Sequence, residues 1–144
     1  MNELIQIVAG AVGSLGFGIL FNVRGKHLLA ATLAGLCSWA IYLLLGYVLP
    51  DEAIRYFIVS MLVSLYCEVM ARVLRTPTTT FLITSLIPLI PGGGLYYTMT
   101  NAFLGKYDGF MERGVTTLSL AVALALGVIV VTVVTETVSR IRKK

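Results

Sequence analysis

Charge is scarce in this chain: 12% of its 144 residues are charged, and long stretches have none. That excludes an ordinary soluble domain, where about a quarter of residues are charged. The single histidine, His27, sits in the short basic loop Arg24–His27. An interfacial position of that kind gives no base for a Ser/His/Asp set. No Gly-x-x-x-x-Gly-Lys-Ser/Thr sequence is present, so nothing here is built to hydrolyse a nucleotide. The two cysteines, Cys37 and Cys67, both fall inside apolar stretches. They are expected as small packing residues, not as a disulfide or metal site. No metal-ligand spacing occurs. An enzyme is therefore not expected, and neither is a cofactor. No Lys or Arg precedes the first apolar run, so a secretory signal peptide is not expected.

What is present is apolar residue in quantity: 58% of positions, with a mean hydropathy of +0.91. Five segments are long enough to span a bilayer, at about 4–23, 28–50, 53–74, 78–104 and 114–136. The expected fold is all-α: a polytopic membrane protein of five transmembrane helices, forming one integral membrane domain over residues 1–144. The net charge of +4 sits at the ends of these segments, so the expected medium is the lipid bilayer and not nucleic acid.

Segment one carries Gly10, Gly13, Ser14, Gly16 and Gly18, small residues that let another helix approach closely. Asn22 at its end reads as a C-terminal cap or as polar lining. Segment two has a small and polar stripe of Ala31, Gly35, Ser38 and Tyr42 at helical spacing. Trp39 lies too deep for an interfacial anchor. Asp51 and Glu52 suit the start of segment three, where the helix dipole favours acids.

The most informative stretch is Ile87-Pro88-Leu89-Ile90-Pro91-Gly92-Gly93-Gly94-Leu95-Tyr96-Tyr97. It lies within thirty charge-free residues, Thr76 to Gly105. One continuous helix of that length runs about 45 Å, beyond a hydrocarbon core of about 30 Å. Two full spans need more residues, so a single crossing with a break is expected. Pro88 and Pro91 donate no backbone hydrogen bond. Three glycines then permit backbone angles that other residues avoid. Unwound backbone in a membrane persists only where protein or a watery cavity covers it, and it marks transporter sites. The amides of Gly92, Gly93 and Gly94, and a half-helix from Leu95 onward, are placed to meet an anionic group. Tyr96, Thr84 and Ser85 flank the break. The bland alternative is a kink that only shapes packing.

Glu68 is an acid within a span, which defaults to a functional hypothesis. Arg72 lies four residues on, so the two share a helix face and also read as a structural pair. Glu136 is expected as a neighbour of the basic tail. With five crossings and a cytoplasmic C-terminus, eight of the eleven basic residues fall inside and three, Arg55, Lys106 and Arg113, outside. That asymmetry follows the positive-inside rule and puts the N-terminus outside. It also favours a crossing over a re-entrant hairpin for the broken segment.

The set Gly16-Phe17 with Phe21-Asn22-Val23, then Glu68, Ala71-Arg72, Pro77 and Phe81, then Ile87-Pro88-Leu89-Ile90-Pro91-Gly92 with Tyr96, resembles the small membrane subunit of the two-component threonine/serine exporter (ThrE) family. The likeness runs from segment one to segment four. It implies export of threonine, serine or related carboxylates such as succinate across the inner membrane. It also implies a larger partner membrane subunit, since fused members carry both halves. Asn22, Arg72, Pro88, Pro91 and Gly92 match the family pattern. The expected activity is thus a subunit of a proton-coupled secondary exporter. Pro88, Pro91, Gly92, Gly93, Gly94, Tyr96, Thr84 and Ser85 would bind substrate, and Glu68, Arg72 and Asn22 would couple or gate. The rival reading is a non-transporting scaffold whose glycine faces hold a partner. A channel has less support, because no ring of charge or filter sequence is present.

Overall fold

The computed structural model describes residues 2–142. Lys143 and Lys144, two of the basic residues in the orientation argument, lie outside them. The elements are α1 (Glu3–Leu20), α2 (Lys26–Gly46), α3 (Glu52–Leu74), α4 (Thr78–Leu86), a 3-10 turn (Ile87–Leu89), α5 (Gly92–Phe103) and α6 (Tyr107–Arg142). Helices α1, α2, α3 and α6 are each long and apolar enough to cross a membrane, and α4 with α5 forms a bent pair. The protein is a multi-pass, all-α membrane protein.

Its surface is inverted relative to a soluble protein. Large apolar side chains such as Leu20, Val73 and Ile129 face outward on every long helix, while Ser14, Ser38, Ser60, Thr84 and Ser85 are fully buried. Lipid gives no hydrophobic reason to bury leucine, so helices associate through small residues and local hydrogen bonds. Ser38 donates to Gly35 O at 2.7 Å and Ser60 to Phe57 O at 2.9 Å. These bonds satisfy the hydroxyls without widening the helices.

Helices α1 and α2 meet along Gly10, Ser14 and Gly18, spaced by four and all buried. A methyl group at Gly35 would overlap Ser14, and one at Gly18 would meet Leu28 Cδ1 at 2.5 Å. Gly13 and Gly16 have nothing within 4 Å, so only three of the five small residues are packing residues. The segment-two stripe, Ala31, Gly35, Ser38 and Tyr42, is buried throughout. Asp51 caps α3, its side chain accepting from Ile54 N at 3.1 Å. At the other end Leu74 is followed by Arg75 in the left-handed region (φ 53°), and the chain turns into Pro77. Cys67 is buried, as expected for a small core residue, but Cys37 is exposed on α2. The packing role therefore holds for one cysteine and not the other.

Helix α6 has 36 residues, about 54 Å, and starts at Tyr107, ahead of the apolar run from Gly114. It lies parallel to α3. Gly127 touches Ser60 and the Phe57 carbonyl, and farther along both helices Glu136 and Arg140 share a cavity with Glu68 and Arg72. Parallel α3 and α6 require the chain between them to return to α3's starting end. The bent pair is that return crossing.

Candidate functional site

The break is local chemistry. Pro91 offers no N–H to Ile87 O, and that oxygen instead accepts from Ile90 N at 3.1 Å, ending the 3-10 turn. The chain resumes as α5 at a 58° bend. Pro91 stands at the N-cap of α5 and brings no capping side chain. One expectation is corrected here. Gly92, Gly93 and Gly94 form the first turn of α5, and none has a positive φ. Conformational freedom is not what these glycines supply, and the half-helix begins at Gly92 instead of Leu95. Gly92 N–H bonds Ile90 O at 2.6 Å. Gly93 and Gly94 are first-turn positions, whose amides have no acceptor within the helix.

The glycines supply space. A methyl group at Gly92 or Gly93 would meet nothing within 4 Å. Both border a cleft of about 700 Å³, together with Pro88, Ile90, Pro91 and Gly94. Pro88 lies against Gly10, about 10 Å along α1 from its first residue. Four helices line the rest of the cleft. Helix α1 brings Gln6, α2 brings Trp39 and Tyr42, α3 brings Glu52 and Tyr56, and α6 brings Glu112, Arg113, Thr116, Thr117 and Leu120.

One wall is an ordered aromatic and polar set. Trp39 Nε1 donates to Gln6 Oε1 at 3.3 Å, and Tyr42 Oη donates to Glu52 Oε1 at 2.8 Å. The Trp39 and Tyr42 rings lie 5.1 Å apart, and Tyr42 meets Tyr56 edge-on at 5.2 Å. The Arg55 guanidinium sits 5.0 Å from the Tyr42 ring centre. The opposite wall is α5 against α6. Gly94 packs on Thr117 and Gly114 on Thr98, while the Arg113 guanidinium lies 5.6 Å over the Tyr97 ring. The cleft thus holds acids (Glu52, Glu112), a cation (Arg113) and first-turn amides in one space. It can take a small molecule bearing both charges.

Of the sequence-selected residues, Pro88, Pro91, Gly92, Gly93 and Gly94 line the cleft. Tyr96 does not: it is exposed, with its ring against Tyr97. Thr84 and Ser85 are fully buried in α4 and face the core, Thr84 donating to Phe81 O at 3.0 Å. Asn22 resolves to the cap alternative. It takes φ 59°, donates from its N–H to Ile19 O, and Val23 N–H reaches Gly18 O, which closes α1. Glu68 and Arg72 pair at 3.5 Å far from the cleft, and line a second cavity of about 370 Å³ with Thr135, Glu136, Ser139 and Arg140. Sequence reasoning did not select Gln6, Trp39, Glu52 or Arg113 for the site. The available signal for Glu52 and Arg113 was a charge at the edge of an apolar segment.

Residues 6–134 match the family described as Threonine/Serine exporter, ThrE. No curated protein and no solved structure matches the chain.

Proposed function

The chain belongs to the threonine/serine exporter family, and on that premise we propose that it is the small membrane subunit of a secondary exporter, with the cleft at the helix break as its substrate site. The observation that carries this reading is the placement of both charge signs around one cleft. An amino acid is a zwitterion. Its carboxylate suits Arg113 and the first-turn amides of α5, where the helix dipole is positive. Its ammonium suits Glu52 and Glu112. A dicarboxylate meets those acids unfavourably, so the reading favours threonine or serine over succinate. Pro88 and Pro91 fix the bend, and Gly92 and Gly93 keep the cleft open.

The Glu68–Arg72 pair is assigned to proton coupling or gating at the opposite end. Asn22 serves as a helix cap. The N-terminus is placed outside and the C-terminus in the cytoplasm of a cell with an inner membrane. Eight of eleven basic residues on one side support that orientation. The partner is a larger membrane subunit, and the cleft's open side is where that subunit would complete the path.

The test is efflux from proteoliposomes loaded with labelled threonine, serine or succinate, with this chain alone and with its larger subunit. Efflux of threonine or serine with both subunits is the expected result. Efflux of succinate alone contradicts the charge argument. No efflux in any arrangement, with both proteins inserted, favours the scaffold reading.

A further inference from the structure

The cavity at the far end of α3 and α6 contains a duplicated motif. Helix α3 carries Glu68-Val69-Met70-Ala71-Arg72, and α6 carries Glu136-Thr137-Val138-Ser139-Arg140. Both are Glu-x-x-x-Arg, the spacing that puts an acid and a base on one helix face. Because α3 and α6 run parallel, with Gly127 beside Ser60, the two motifs reach the same level. All four charged residues line one open pocket of about 370 Å³, together with Thr135 and Ser139.

The four charges are not mutually spent. Glu68 and Arg72 pair at 3.5 Å, longer than a charge-assisted bond of about 2.7–2.9 Å. Glu136 and Arg140 share the same spacing, yet make no ion pair among the described residues. The Glu68 side chain is 16% exposed, while Arg72, Glu136 and Arg140 are exposed and open to a ligand. Two acids, two bases and two hydroxyls around one small cavity match a ligand with an ammonium, a carboxylate and a hydroxyl. The volume falls within the range of about 300–1,000 Å³ usual for small-molecule sites.

We infer that this cavity is a second binding site for a zwitterionic hydroxy amino acid, an entry site at the end of the protein opposite the cleft. Glu68 and Glu136 hold the ammonium, and Arg72 and Arg140 hold the carboxylate, so that the ligand's arrival opens the Glu68–Arg72 pair assigned above to coupling or gating. Thr135 and Ser139 meet the side-chain hydroxyl. The inference rests on the proposed exporter reading for its ligand class, and it assigns Glu136 and Arg140 a role that the cleft does not need.

Equilibrium binding of labelled L-threonine to the full chain in nanodiscs tests it. Two sites per chain are expected. Glu136→Gln with Arg140→Gln removes one, and Arg113→Gln removes the other. Threoninamide, which lacks the carboxylate, competes at the entry site at least about tenfold more weakly, as loss of a charge-assisted bond implies. The exchanged variant Glu136→Arg with Arg140→Glu keeps both charges in the cavity and retains two sites, which separates charge recognition from misfolding. One site, lost in Arg113→Gln and unchanged in the Glu136/Arg140 variants, overturns the inference while leaving the exporter reading intact. No binding at all overturns both.

Discussion

Two glycine-containing stretches of this chain do opposite things. In α1, Gly10 and Gly18 flank Ser14 and face Trp39, Gly35 and Leu28 at contact distance, so the glycines are there to be touched. At the start of α5, Gly92 and Gly93 face nothing within 4 Å. Both sets are helical, and neither uses the left-handed backbone that glycine allows. The difference lies in what stands opposite. Absent side chains join two helices in the first case and leave open space in the second. Gly92 and Gly93 are exposed at the border of the cleft, and open space beside first-turn amides and both charge signs is a place for a polar solute.

The largest effect should come from filling a closed contact. Gly127→Val drives a side chain into Ser60 and the Phe57 carbonyl. It is expected to destabilise the protein by about 1–3 kcal/mol or more, read as a lower midpoint in a thermal melt in detergent. An unchanged midpoint would mean that α3 and α6 do not approach as described. Next is Arg113→Gln, which keeps the Gly94–Thr117 and Gly114–Thr98 contacts of α5 on α6 and removes only the guanidinium over Tyr97. It should raise the half-saturating threonine concentration at least about tenfold with little change in melting. A fall in melting without a change in affinity would make Arg113 a structural partner of Tyr97 and nothing more.

The smallest effect separates cap from gate at Asn22. Asn22→Gly fits the left-handed φ of 59° and should leave both melting and efflux near wild type. Asn22→Ala should cost up to about 1 kcal/mol, because alanine keeps the β-carbon but loses the short polar side chain that eases asparagine into the left-handed region. Loss of efflux in the glycine variant, with an unchanged melt, would restore Asn22 to a gating role.

Much of the fold is written in local pattern. The stripe Ala31, Gly35, Ser38 and Tyr42 is periodic, and it is buried as that period requires. Asp51 caps α3 because its side chain sits next to free first-turn amides. The break is legible because proline removes donors at known positions. The cleft's other walls are not legible in the same way. Gln6, Trp39, Glu52 and Arg113 lie on four different helices, and helical period says which face is apolar without saying which helix ends converge. The match of the two Glu-x-x-x-Arg motifs likewise depends on α3 and α6 being parallel, a tertiary fact. The glycine triplet misled for a different reason. Its composition suits unusual backbone angles, but a helix that restarts directly after Pro91 holds the glycines in ordinary helical geometry.

The central claim is that the space beside Gly92 and Gly93 is the substrate site. The most direct test is threonine efflux by Gly92→Leu with Gly93→Leu, reconstituted with the larger subunit, alongside Gly92→Ala with Gly93→Ala. The leucine pair should abolish efflux with the melting midpoint and subunit assembly retained. The alanine pair should transport and melt slightly higher, since alanine favours a helix by about 1 kcal/mol per residue over glycine. Intact efflux in the leucine pair, correctly inserted, would contradict the account.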